Sequence, residues 1–118
     1  MSEFHEPPED LSPQTRDFRR ALNSLKEEIE AIDWYQQRID SCTDEQLKKI
    51  IEHNKFEEME HASMALEWLR RNMDGWDEKL RIYLFTERDL IQIENEGKDK
   101  LGEIDKDLGI GGIKRRIK

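Results

Sequence analysis

The sequence predicts an all-α protein: an antiparallel two-helix hairpin plus a short C-terminal helix, completing a four-helix bundle only by dimerisation. Three observations predict it. Apolar residues recur at alternating steps of four and three through most of the chain. Start and stop signals cut that pattern into long segments joined by a short break. Charged residues make up 41% of the 118 residues and hydrophobic ones 35%. That balance suits helices with one narrow apolar stripe, which must find partners, better than a self-sufficient globule. A mean hydropathy of -0.99 would also suit disorder, but three Trp and the sustained helical period argue against it for the middle of the chain.

Residues 1–12 hold two of the three prolines and read as an extended arm. Ser12-Pro13 opens the first helix, with Ser as N-cap and Pro at the first helical position. Phe18, Leu22, Leu25, Ile29, Ile32 and Ile39 then follow the helical rhythm, with Gln36 in the one missing step. The pattern carries the helix to about Asp40. Ser41-Cys42-Thr43 breaks it, and Thr43 with Gln46 forms a capping-box pattern that opens the second helix. So short a link implies an antiparallel hairpin. The second helix runs at least to Asn72, and Asp74-Gly75 either ends or weakens it. Thr86 is expected to cap a third helix over about 87–95. The expected organisation is an arm over 1–12, a helical domain over 13–95, a polar linker over 96–106 and an exposed tail over 107–118.

The net charge is -8, although the last six residues hold four basic and no acidic side chains. So acidic a body is a poor nucleic-acid binder and a good attractor of cations. The single cysteine, Cys42, cannot support a disulfide framework, which favours a reducing cytosol. The acidic N-terminus does not read as a signal peptide, and no apolar run approaches the roughly 20 residues that span a membrane.

The chemistry is expected on the second helix. Its inward seam reads Leu47, Ile51, Asn54, Glu58, His61, Ala65, Trp68. The ends are apolar and the middle is Asn-Glu-His, where Leu, Ile or Val would be expected. Burying such groups without partners is unfavourable by roughly 2–7 kcal/mol even for neutral ones, and a metal is the natural compensation. Glu58 and His61, three apart, share a helix face and can reach one ion. Glu28 stands at the edge of the apolar face of the first helix. One Glu on one helix and Glu-x-x-His on the next is half of a di-iron carboxylate set. A two-fold dimer repeats every ligand and so supplies the other half. Oxygen and imidazole donors suit iron, with zinc or manganese able to compete. Taken alone, Glu-x-x-His is a weak signal in a Glu-rich chain; its place on the seam opposite Glu28 strengthens it. His53, near Glu57, reads as a solvated histidine. The three Trp read as core or interface anchors, and Tyr35 as a neighbour of the site or a packing residue.

These residues resemble a known family. Glu27-Glu28-Ile29-Glu30-Ala31-Ile32-Asp33-Trp34-Tyr35, Glu52-His53-Asn54, Glu57-Glu58-Met59-Glu60-His61-Ala62, Leu66-Glu67-Trp68-Leu69-Arg70-Arg71 and Tyr83-Leu84-Phe85-Thr86-Glu87 are similar, in order and spacing, to the encapsulated ferritins. The likeness spans roughly residues 15–88. The tail, Asp107-Leu108-Gly109-Ile110-Gly111-Gly112-Ile113-Lys114, resembles the peptide by which cargo docks inside encapsulin shells. Its Leu108, Ile110 and Ile113 would fill pockets on the shell wall.

The resemblance implies a ferritin-like bundle formed by dimerisation and an open ring, typically a decamer of five dimers. It implies a ferroxidase that oxidises Fe(II) with dioxygen at a di-iron site on the subunit interface, two irons per dimer. The mineral would then collect in the lumen of a cytoplasmic encapsulin compartment. By position Glu28, Glu58 and His61 match the iron ligands and Tyr35 a neighbouring aromatic at the reacting centre. Glu27, Glu30 and Trp34 match an outer metal-attracting entrance. The rival readings are a related di-iron protein that destroys peroxide and a non-enzymatic helical adaptor whose polar seam only sets register.

Overall fold

The computed structural model describes the backbone of residues 4–108 and the side chains of residues 4–99. It is helical, and no strand occurs among the described residues. A 3-10 turn over Pro8–Asp10 precedes α1 (Pro13–Ser41), α2 (Glu45–Asn72), α3 (Trp76–Tyr83) and α4 (Leu90–Leu108). The chain forms two compact units, one ending at Asn72 and the other beginning at Met73.

In the first unit, α1 begins where the Ser-Pro signal puts it. The Ser12 Oγ accepts from the Thr15 N–H at 3.0 Å, satisfying one of the unpaired donors of the first turn. The arm before it is tied down. Arg16 donates to the Pro8 carbonyl at 2.6 Å, and the Arg19 guanidinium lies 4.2 Å from the centre of the Phe4 ring. The hairpin link is as short as predicted, but its cap differs. The Asp44 Oδ1 accepts from the Leu47 N–H at 2.8 Å, so Asp44, not Thr43, caps α2. An aspartate caps as well as threonine and adds an anion at the positive end of the helix.

The hairpin is antiparallel. Phe18, near the start of α1, meets Trp68, near the end of α2, edge to face at 6.2 Å. Farther along, the Lys55 Nζ donates to the Gln36 Oε1 at 3.0 Å. The α1 stripe turned towards α2 is Phe18, Ala21, Leu25, Glu28, Ile32, Tyr35 and Ile39, each half-buried or buried. This is the predicted rhythm with a rotation. Leu22 and Ile29, expected inside, are 38% and 56% exposed. They belong to a second apolar face that α2 does not cover. On α2, Ile51, Asn54, Glu58 and Ala65 of the expected seam are half-buried, whereas Leu47, His61 and Trp68 are exposed. Only Ile39 and Leu69 are buried among the described apolar side chains, and only Leu69 is fully removed from solvent.

At its C-terminal end α2 is braced by a fork. Arg70 donates to both oxygens of Glu67 at 2.7 and 2.8 Å, and Arg71 adds a third bond at 2.7 Å. These hydrogen bonds hold the Glu67 carboxyl down at about 2. The helix stops at Asn72. Gly75 adopts φ 102°, which a side-chain-bearing residue rarely tolerates, and so it ends the helix rather than weakening it.

The second unit departs from the sequence reading. The helix after Gly75 is α3, and the Thr86 hydroxyl donates back to the Tyr83 carbonyl at 2.9 Å. Thr86 thus closes α3 instead of opening the next helix. Asp89 caps α4, its Oδ2 accepting from the Gln92 N–H at 2.9 Å. α4 runs to Leu108, through the range 96–106 expected to be a linker and well past the expected end at 95. Gly97 and Gly102 weaken a helix by only about 1 kcal/mol each. Arg88 grips Glu96 through two 2.6 Å bonds, and Lys98 stands 3.8 Å from Glu94, one turn away. Most of the expected tail, including Ile110 and Ile113, lies outside the described residues.

Leu69, at 0% exposure, is the best-packed side chain. Leu69→Ala should destabilise the protein by about 2–5 kcal/mol in urea unfolding followed by circular dichroism at fixed concentration. A change under about 0.5 kcal/mol, the range of surface substitutions, would show that the hairpin does not rest on this contact.

Candidate metal centre

Three donors converge midway along the hairpin. Glu28 comes from the inward stripe of α1, and Glu58 and His61 come from successive turns of α2. One ligand atom from each lies within 4.8 Å of the others. The His61 Nδ1 is 3.8 Å from a Glu28 oxygen and 3.8 Å from a Glu58 oxygen. These separations are too long for hydrogen bonds. Metal bonds of about 2.0–2.2 Å would place such donors roughly 3–4 Å apart, so small side-chain rotations would close the set around one ion.

The electrostatics favour a cation. The Glu28 and Glu58 side chains retain 23% and 24% of their exposure, and His61 retains 49%. Among the described residues neither carboxylate has a lysine or arginine partner. Two like charges at this range in a half-buried site repel by about 3–4 kcal/mol at an effective dielectric near 20. A divalent ion reverses that sign. The donor chemistry, two carboxylates and an imidazole, fits iron, zinc or manganese. Three protein donors leave positions open for further ligands.

Other residues singled out from sequence lie apart from this cluster. Glu27 is exposed and accepts from the Asn23 amide at 2.7 Å. Glu30 is exposed, and Trp34 is 48% exposed. Tyr35 is half-buried on the Glu28 stripe, two turns on, with the Arg38 guanidinium 5.4 Å from its ring centre. His53 is exposed and pairs with Glu57 at 2.9 Å, in keeping with a solvated histidine. The central place of Glu28, read as an edge residue, had its own signal. Ala21, Leu25, Glu28, Ile32, Tyr35 and Ile39 keep the same alternating spacing as the more conspicuous Leu22 and Ile29 set.

Residues 3–87 match the EncFtn-like protein family. The chain belongs to that family. This EncFtn-like chain is 57% identical over 108 residues to a Thermotoga maritima protein named "Ferritin-like protein", covering 92% of this chain and 95% of the relative. It is 48% identical over 121 residues to the "Encapsulated ferritin-like protein" of Rhodospirillum rubrum, covering 93% and 86% respectively. The crystal structure of a Nitrosomonas europaea protein superposes with a TM-score of 0.73 at 48% identity, over 75% of this chain and 98% of that one. The EncFtn-like match takes in the whole hairpin and all three converging donors. With the relatives' names, it supports a ferritin-like, iron-related role for the chain.

Proposed function

We propose that the chain is a ferroxidase whose site is completed by two copies. The observation that carries this reading is the convergence of Glu28, Glu58 and His61 from two helices, the two carboxylates half-buried and without a lysine or arginine partner among the described residues. Fe(II) is the substrate. Around a two-fold axis the set becomes four carboxylates and two imidazoles, enough to hold two irons while leaving room for dioxygen. Iron supplies the redox chemistry, its electrons passing to dioxygen. The protein's part is to gather and orient. The carboxylates offset the ionic charge and hold the ferric product, and His61 fixes a nitrogen donor on each side.

The exposed apolar side chains Leu22, Ile29, Leu47 and Trp68 supply the surface that a second copy would bury. Larger rings, of which a decamer of five dimers is the form we propose, follow by repetition of such contacts. Exposed Glu27 and Glu30 beside Trp34 form an acidic approach that raises the local cation concentration, and Tyr35, two turns beyond Glu28 on the same stripe, serves as the neighbouring aromatic. The tail over 107–118, with Leu108, Ile110 and Ile113, docks the assembly on an encapsulin wall. The mineral then collects within that cytoplasmic compartment. The name of the Rhodospirillum relative supports this part of the reading. No helix among the described residues is long and apolar enough to cross a membrane.

Glu28→Ala, Glu58→Ala and His61→Ala should each abolish most Fe(II) oxidation, because each removes two ligands from the shared site. His53→Ala should leave the rate unchanged. Stopped-flow absorbance of ferric formation measures this, and wild-type rates in all three ligand variants would sink the assignment.

Deleting residues 107–118 should leave oxidation intact and prevent loading into a co-expressed encapsulin shell. Several tails on one assembly act together, so modest single-site affinity suffices for capture. Undiminished co-purification of the truncated protein with the shell would show that the address lies elsewhere.

A further inference from the structure

The two-copy site leaves one polar side chain of the α2 seam, Asn54, without a task. Asn54 lies one turn before Glu58 and two turns before His61. It is half-buried, and its amide makes no hydrogen bond among the described residues, although water still reaches it in the single chain. Covered by a second copy, such a group would be unfavourable unless something paired with it. Leu47, Asn54, His61 and Trp68 follow one another at intervals of seven, so they form a nearly straight line along the helix. Leu47 and Trp68 are 49% and 38% exposed and the His61 side chain 49%. The line therefore borders the side of the hairpin that α1 leaves open.

His61 has the complementary deficit. Its Nδ1 faces both carboxylates. A histidine that binds metal through one nitrogen donates the other N–H to an acceptor, which fixes its tautomer and ring orientation. Among the described residues the His61 Nε2 has no such acceptor. Asn54 of the same chain is seven residues away, about 10 Å along the helix, and cannot serve.

We infer that Asn54 is a positioning residue whose side-chain carbonyl accepts the Nε2–H of His61 of the partner subunit. The inference rests on the two-copy metal site proposed above. One antiparallel register of two α2 helices provides the pairing. It sets Asn54 opposite His61 of the partner subunit and, by the same offset, Leu47 opposite Trp68 of the partner subunit. Polar meets polar and apolar meets apolar at every step of the line. The centre of this register falls beside Glu58, which brings the two copies of that carboxylate to the axis. It also opposes the two helix dipoles. A parallel pairing would set Asn54 against its own copy and leave both imidazole N–H groups unpaired. Asn54 thereby ties the register of the dimer to the orientation of the metal-binding imidazole.

The test separates assembly from metal binding on the full chain. Mass is measured by analytical ultracentrifugation, Co(II) affinity by anaerobic titration, and the His61 tautomer by 15N NMR of the zinc-loaded protein. Wild-type protein should show a solvent-protected Nε2–H. Asn54→Leu should keep the dimer, because leucine suits the apolar line, yet weaken Co(II) binding about 10–100-fold and lose the protected proton. Asn54→Asp, which keeps an acceptor, should restore that proton. An Asn54→Leu dimer that binds Co(II) as tightly as wild type overturns the inference. Should Asn54→Leu not assemble, Asn54→Ala carries the same comparison, and an unprotected Nε2–H in wild-type protein overturns the inference by itself. Wild-type protein that takes up no stoichiometric metal overturns the two-copy site, and the role of Asn54 with it.

Discussion

Two carboxylates held within 4.8 Å of each other and of an imidazole, on the packing surface of a two-helix hairpin, are the constraint on which the rest depends. A hairpin of this length would normally close on leucine and isoleucine. Here the middle of the stripe is occupied by Glu28, Glu58 and their neighbours, so little apolar area is left to bury there. That is why, among the described residues, burial of apolar side chains is confined to Ile39 and Leu69. It is also why a charged, hydrophilic chain still exposes so many large apolar side chains. The fold gives up local stability at the centre in order to gather negative charge. In the function we propose, a cation and a second copy offset this sacrifice, each supplying what the other cannot.

The hairpin was legible in the sequence because its signals are local. Ser12-Pro13 fixes the start of α1, and the break at 42–44 is too short for anything but an antiparallel return. The convergent cluster was legible in part because Glu58 and His61 interrupt an apolar rhythm. The rotation of α1 was not. Two alternating sets, one with Leu22 and Ile29 and one with Glu28 and Tyr35, satisfy the same helical period. Hydrophobicity alone prefers the first. The structure turns the second towards α2 and leaves Leu22 and Ile29 of the first exposed. The caps misled for a simpler reason. Thr43 stands next to Asp44, and Thr86 lies three residues before Asp89; in each case aspartate caps the helix and threonine does not.

The C-terminal unit shows the limit of composition as a guide. Its charged residues and glycines read as a linker, yet the charged residues are good helix formers and pair with one another, as Arg88, just before α4, with Glu96 and Lys98 with Glu94 show. Gly75, by contrast, ends α2 because φ 102° is a conformation it alone tolerates without strain. A glycine within regular φ and ψ is a small loss; a glycine at positive φ is a boundary. The sequence contains both kinds and does not distinguish them.

The central claim is that each chain carries half of a metal site. Native mass spectrometry before and after anaerobic addition of Fe(II) tests it most directly, since it reads mass and metal content in the same species. The account predicts two irons for every two chains, bound only in species of at least two chains, with Fe(II) shifting the population towards them. Stoichiometric iron on a single chain, with no change in the distribution of assemblies, would contradict it.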